Sequence, residues 1–197
     1  PCTDPAPEGQ SFCLTEDEVR IESDTTTNYE IGLRSMWLDG RLLFNAAVYY
    51  IDWNDIQVQG TSDTGGVTIT VNGGTAASKG IEFTTRWSIT DNLEMAANVT
   101  FNDAQLTSNA PGLVDDADAF DGDRLAGTPE QAGTLLLAYT RPLDGGLTLM
   151  ADYALTAVSD VYTKVGLRNN GEALPGYAVH GLSFGLADGR WSARLYA

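Results

Sequence analysis

The sequence predicts an all-β fold, an antiparallel meander of about eight strands that each cross a membrane. Three observations carry this. Apolar and polar residues alternate with a period of two over segments of about ten residues. Short and long connections between the segments follow one another in turn. Trp and Tyr gather near segment ends, while acidic residues gather in the long connections.

The clearest segment is Leu93 to Asn102, with Leu93, Met95, Ala97, Val99 and Phe101 on one face and Glu94, Asn98, Thr100 and Asn102 on the other. Side chains alternate across a strand, so this is one greasy and one wet face. About 9–11 residues is also the length a tilted membrane strand needs. Ile81, Phe83, Thr85, Trp87 and Ile89 repeat the pattern against Glu82, Thr84, Arg86 and Ser88. So do Leu147, Leu149, Ala151, Tyr153 and Leu155 against Thr148, Asp152 and Thr156, and Leu42, Phe44, Ala46, Val48 and Tyr50 against Asn45 and Ala47. Weaker alternation covers Tyr29 to Trp37, Gly133 to Arg141, Tyr177 to Leu186 and Arg190 to Ala197.

Four connections are short and rich in turn formers: Leu38-Asp39-Gly40, Thr90-Asp91-Asn92, Leu143-Asp144-Gly145-Gly146 and Ala187-Asp188-Gly189. Asp-Gly suits tight hairpins. Between them lie Gln59 to Ser78, Gln105 to Thr128 and Lys164 to Leu174, and Pro1 to Thr27 precedes the first strand. Membrane barrels have short periplasmic turns and longer extracellular loops, which is the alternation seen. Trp37, Tyr49, Tyr50, Trp53, Trp87, Tyr139, Tyr177 and Trp191 fit interfacial belts, because their rings are apolar and, in Tyr and Trp, the tips polar.

The chain has 197 residues and a formal net charge of -16. That acidity argues against nucleic acid, which needs clustered Lys and Arg. No apolar run reaches the roughly 20 residues of a spanning helix, a test that does not detect membrane strands. Cys2 and Cys13 lie close together among Pro, Gly and Asp, which reads as a small disulfide loop in an oxidising compartment or as two unpaired loop thiols. Pro1 at the start and a strand pattern still running at Ala197 read as a fragment.

Particular runs resemble a known family. Glu22 with Asn28-Tyr29-Glu30-Ile31-Gly32-Leu33-Arg34 is similar to the opening of a late barrel strand in TonB-dependent receptors. Asn45 to Trp53 with Asp55-Ile56 resembles the next strand, and Asn72, Gly73, Ala76, Gly80, Ile81 and Glu82 the one returning. Gly127-Thr128-Pro129 before Leu135 to Tyr139, and Leu174-Pro175-Gly176-Tyr177 with Gly189-Arg190-Trp191 and Leu195-Tyr196-Ala197, continue the match in order. The resemblance implies a 22-stranded barrel in the outer membrane of a Gram-negative bacterium, of which this chain supplies a little over a third. Residues 1–27 would be an extracellular loop and 28–197 barrel strands and loops, with the plug domain and the final strand lying outside the chain. It also implies TonB-energised uptake of a scarce small-molecule nutrient, such as an iron-siderophore complex. The implied partners are lipid, lipopolysaccharide and, through the plug region, the TonB complex. A passive porin-like barrel shares the strand pattern, and a soluble extracellular β-sandwich adhesin is the reading from a different class.

Enzyme chemistry finds little support, and no cofactor is expected. The single histidine, His180, alternates with Leu182, Phe184 and Leu186 and reads as a strand residue near an interface. In the run Asp115 to Asp123, the residues Asp116, Asp118, Asp121 and Asp123 have the oxygen chemistry of a calcium loop. Phe120 sits where a ligand belongs and the closing Glu is missing, so solvated loop charge is the preferred reading. Glu30, Arg34, Glu82, Arg86, Glu94, Asp152 and Arg194 fall on the wet faces, which in a barrel point into the lumen. There they hold a plug or line a substrate path.

Overall fold

The computed structural model describes residues 14, 20–61, 68–114 and 117–197. In chain order the strands are β1 (Thr25–Trp37), β2 (Leu42–Asn54), β3 (Gln57–Thr61), β4 (Thr68–Asn72), β5 (Thr75–Ser88), β6 (Leu93–Leu106) and β7 (Ala110–Val114). They continue with β8 (Ala117–Ala119), β9 (Gln131–Pro142), β10 (Thr148–Val158), β11 (Val161–Tyr162), β12 (Ala173–Leu174), β13 (Tyr177–Ala187) and β14 (Ser192–Tyr196). Eight of them form one antiparallel sheet in the order β1-β2-β5-β6-β9-β10-β13-β14. The other six pair as small hairpins within the long connections: β3 with β4, β7 with β8, and β11 with β12.

The register fixes which side chains share a face. One row runs Leu33, Ala46, Phe83, Val99, Gly133, Ala157 and Ala178 across seven strands. Another runs Trp37, Leu42, Trp87, Met95, Leu137, Tyr153 and Leu182. The opposite face carries Arg34, Asn45, Thr84, Asn98, Thr134, Thr156 and Val179 in one row.

No second sheet covers the apolar rows among the described residues. Ile31 is 82 % exposed, Leu182 56 % and Phe184 52 %. A sandwich would bury this face, so the adhesin reading fails on the fold. The buried hydrophobic residues, among those described, lie elsewhere, at the long-loop end of the sheet: Ile56, Ala76, Ala104, Leu106, Ala110 and Ala119. The apolar rows are therefore built for lipid.

Three features differ from the sequence reading. First, β1, β2, β5 and β6 run 13 or 14 residues, longer than a lipid crossing. Pairing continues past the lipid because the next outer rows are polar or small, Thr27-Asp52-Ala77-Gln105 and Thr25-Asn54-Thr75. The first strand accordingly starts at Thr25, inside the segment 1–27 expected to be loop. Second, the aromatic belt is split by parity. Tyr29, Trp37, Tyr50, Trp87 and Tyr139 share the apolar face, but Tyr49, Trp53 and Tyr177 fall on the other. Of two adjacent strand residues, only one can face lipid. Third, the apolar band slants. Its polar edge passes from Tyr29, Tyr50, Lys79 and Asp103 to Gln131 and His180. That is a drop of about 20 Å over six strand spacings of about 4.8 Å, a lean of about 35°, as barrel closure requires.

One close approach inside the ladder depends on glycine. The Tyr49 ring lies over Gly80, and its hydroxyl donates to Asn102 Oδ1 at 3.0 Å. The same oxygen accepts from Ser78 Oγ at 2.7 Å. A Cβ at Gly80 would collide with the Phe101 carbonyl and with the Tyr49 phenol.

Gly80→Ala is therefore expected to destabilise the intact protein by about 1–3 kcal/mol, through overpacking. Urea or thermal unfolding of the folded barrel in detergent checks this, and an unchanged midpoint would count against it. A second expectation concerns the edges. β1 and β14 flank the open sheet, and unpaired strand edges recruit other chains. The chain expressed alone should aggregate rather than elute as a monomer. A monodisperse species with β1 hydrogen-bonded to β14 is the result that overturns this.

Candidate functional site

The register brings Glu30, Arg34, Glu82, Arg86, Glu94, Asp152 and Arg194 to one face, opposite the apolar rows. Two of these pair with each other. Asp152 accepts from Arg194 Nη1 at 3.1 Å and from Ser183 Oγ at 2.6 Å. The other five make no hydrogen bond or ion pair with any described residue. Glu30, Arg34, Asn45, Glu82 and Thr84 rim a hollow of about 440 Å³ that includes Gly32 and Ala47. Gly32, Ala47 and Glu82 are in one row, so the recess exists because two of its three positions carry little or no side chain.

This face is not uniformly polar. Met36, Leu43, Arg86, Ala96 and Leu136 form one row near the short turns, with Met36 67 % and Leu136 45 % exposed. The sequence reading missed it because its alternation was weakest over Tyr29 to Trp37 and Gly133 to Arg141.

The long connections fold into one another. Ile56, Ala76, Leu106, Ala110 and Ala119 form a small buried core, with Trp53, Leu125 and Val165 packed on it. Asn72 ties the entering segment down: its amide accepts from the Glu22 N–H (2.8 Å) and donates to the Glu22 and Asp55 carbonyls (2.9 and 2.8 Å). Arg124, with a side chain only 10 % exposed, pairs with Asp160 Oδ2 at 3.0 Å and donates to the Thr128 carbonyl at 2.8 Å. Its guanidinium lies over the Tyr162 ring, 4.6 Å from the centroid. These loop organisers had no clear signal in the sequence, because each joins segments far apart in the chain.

The acidic run is partly spent in this network. Both Asp123 oxygens accept from Arg168, at 2.9 and 3.0 Å, and the Arg168 guanidinium stacks on Phe120. The Asp121 N–H donates to Asn109 Oδ1 at 3.0 Å. Among the described residues no group of three or more His, Cys, Asp or Glu is placed to hold a metal ion. Asp118 also has an interaction, while Asp116 lies outside the described residues, as do Cys2 and Cys13. His180 sits on the apolar face, its Nδ1 2.9 Å from the Tyr153 hydroxyl.

The hydrogen bonds from Arg168 hold the Asp123 carboxyl below the usual carboxylate range. A carboxyl with a lowered folded pKa stabilises fully above its unfolded value of about 3.9, and that stability is lost as pH falls through the folded value. The Asp123–Arg168 clasp should therefore hold from neutral pH through the ordinary carboxylate range and open only as pH falls through the lowered folded value. Asp123→Asn should open it at neutral pH, speeding amide hydrogen exchange over 120–125 and 165–168 by about ten-fold. Unchanged exchange in that variant would mean that the loops are held without the clasp.

Comparison with known proteins places this arrangement. The family model described as TonB dependent receptor-like, beta-barrel matches residues 20–197. The probable TonB-dependent siderophore receptor PiuA of Acinetobacter baumannii is 28% identical over 133 residues, which is 66% of this chain and 17% of that protein. The crystal structure of the siderophore receptor PiuA from Acinetobacter baumannii superposes with a TM-score of 0.69 at 22% identity, over 93% of this chain and 25% of that one. The ferric yersiniabactin uptake receptor FyuA from Yersinia pestis gives a TM-score of 0.67 at 19% identity, over 88% and 24%. The chain thus spans about a sixth of the curated relative and a quarter of the solved structures. Strand order, lipid-facing rows and family match agree, and the chain belongs to the TonB-dependent receptor β-barrel family of the Gram-negative outer membrane.

Proposed function

We propose that the intact protein imports a scarce nutrient, such as a metal–siderophore complex, past a plug seated in the barrel lumen and with energy supplied through TonB. The observation that carries this is the face opposite the lipid rows. A water-filled porin lumen favours polar residues throughout. Here Met36, Leu43 and Leu136 are apolar on that face, and five charged residues have no partner among the described residues. Such a surface suits a protein plug that covers the apolar row and brings complementary charge. That counts against the passive porin. The names of the similar proteins supply the cargo class: a siderophore receptor, and a receptor for ferric yersiniabactin.

On this reading the wall binds and orients, and its charges do no chemistry. The hollow rimmed by Glu30 and Glu82 receives a basic side chain from the plug. The two carboxylates would share one cation, a charge-assisted contact that fixes the plug in register. Arg34 beside them would keep the recess from taking a second cation.

Uptake of radiolabelled ferric siderophores by cells carrying the full-length gene, with and without TonB, tests the function. Accumulation that needs TonB supports it, and TonB-independent, non-saturating entry would establish the porin instead. Glu30→Gln with Glu82→Gln should loosen the plug. The double variant is expected to admit large antibiotics that the parent excludes, with an unchanged level of folded barrel. If permeability and uptake both stay at parental values, the socket assignment is wrong while the transport reading stands.

A further inference from the structure

We propose that the cargo is a neutral or positively charged metal chelate with an apolar surface, and that multiply anionic chelates are turned away at the entrance. The inference rests on the transport reading above and adds the charge of what is carried. It follows from where the basic residues are. The chain has 11 Lys and Arg against 27 Asp and Glu. Residues 1–24, 55–74, 107–130 and 159–176 lead into or join the sheet strands at the long-loop end, which faces outward in such barrels. They hold 17 of the 27 acids but only four of the 11 cations, Arg20, Arg124, Lys164 and Arg168.

Each of the four is already engaged. Arg124 pairs with Asp160 and Glu130, at 3.0 and 3.6 Å, and Arg168 with Asp123. Lys164 donates to the Asn169 carbonyl at 3.1 Å, and Arg20 also has a partner. The other seven cations lie away from the entrance. Lys79 is on the lipid side beside Asp103, and Arg41, Arg141, Arg190 and Arg194 are at the short-turn end. Arg34 and Arg86 face the lumen, but each lies four residues farther in than an acid of its own strand, Glu30 or Glu82. A rim of one sign draws in counter-charge and repels its own sign before contact. An anionic chelate therefore meets repulsion from this part of the rim, and no unengaged cation. A second observation concerns the wall beneath. On the lumen face at the outer end of β13, Tyr177 and Val179 are 57 % and 58 % exposed, opposite Val158 and Thr156. Those four side chains offer apolar contact, a phenol and a hydroxyl, without charge. The field selects the sign of the cargo, and this wall suits its apolar surface.

The test uses the full-length receptor in detergent and three probes: a cationic ferric trihydroxamate, a neutral ferric trihydroxamate and a triply anionic ferric triscatecholate. Association rates are read by quenching of Trp fluorescence. In low salt the anionic chelate should associate at least about ten-fold more slowly than the better of the other two. At about 0.3 M salt, where charges are screened beyond about 6 Å, the gap should narrow. A gap set by shape alone would not respond to salt. Glu22→Gln, Asp121→Asn and Glu172→Gln together remove three carboxylates that make no hydrogen bond or ion pair with a described residue, so the fold is kept. This triple variant should narrow the low-salt gap by about three-fold. Faster association of the triscatecholate, a gap indifferent to both salt and the triple variant, or binding of none of the three probes would each overturn the charge assignment. TonB-independent entry into cells is the separate result that would end the transport reading.

Discussion

In hydrocarbon there is no water to satisfy a backbone N–H or C=O, and each one left unpaired costs several kcal/mol. The ladder β1-β2-β5-β6-β9-β10-β13-β14 answers that constraint, and the other features depend on it. Once every strand is paired to its neighbours, side-chain parity is no longer free. A slip of one residue would turn Glu30, Arg34 and Glu82 out to lipid and Ile31, Leu33 and Ile81 in toward the lumen. The charges on one face and the aliphatic residues on the other therefore enforce the same register from both sides. Gly80 adds a local pin, since only a residue without Cβ lets the Tyr49 ring cross the ladder there.

Beyond the lipid the solvent changes, and so does the means of holding the chain. The described parts of the long connections pack into a small unit at one end of the wall. Ile56 and Leu106 give it a core, and Arg124, Asn72 and the Asp123–Arg168 pair join loops that are distant in sequence. A mostly buried Arg124 is tolerable only because Asp160, the Thr128 carbonyl and the Tyr162 ring surround it. On the proposed function, loops tied together in this way would lose less entropy on binding cargo than loose ones.

The wall was largely legible from the amino-acid sequence, because lipid imposes a period-two code that a single strand displays by itself. Leu93 to Asn102 and Ile81 to Ile89 needed no neighbour to be read. The same parity put the seven charged candidates on one face, where the register also has them. The loops were not legible, since Arg124 with Asp160 and Asp123 with Arg168 join residues 36 and 45 positions apart, and no local period records such a meeting. Tyr49 and Trp53 show the limit of composition. As members of an aromatic cluster they look interfacial, yet parity and hydrogen bonding place one over Gly80 and the other against Asp24.

Charge is committed differently in the outer loops, on the lipid side and on the opposite face. In the outer loops the cations Arg124 and Arg168 are closed into pairs with Asp160 and Asp123. On the lipid side the one acid near the band edge in β6, Asp103, is paired with Lys79. On the remaining face Glu30, Arg34, Glu82, Arg86 and Glu94 make no hydrogen bond or ion pair with a described residue. Beside water, open charges cost little. Beside a packed plug each would need a partner or pay a desolvation penalty. On the proposed function, open charges, a recess between two carboxylates and an apolar row would be one half of an interface, and the plug would carry the complementary half.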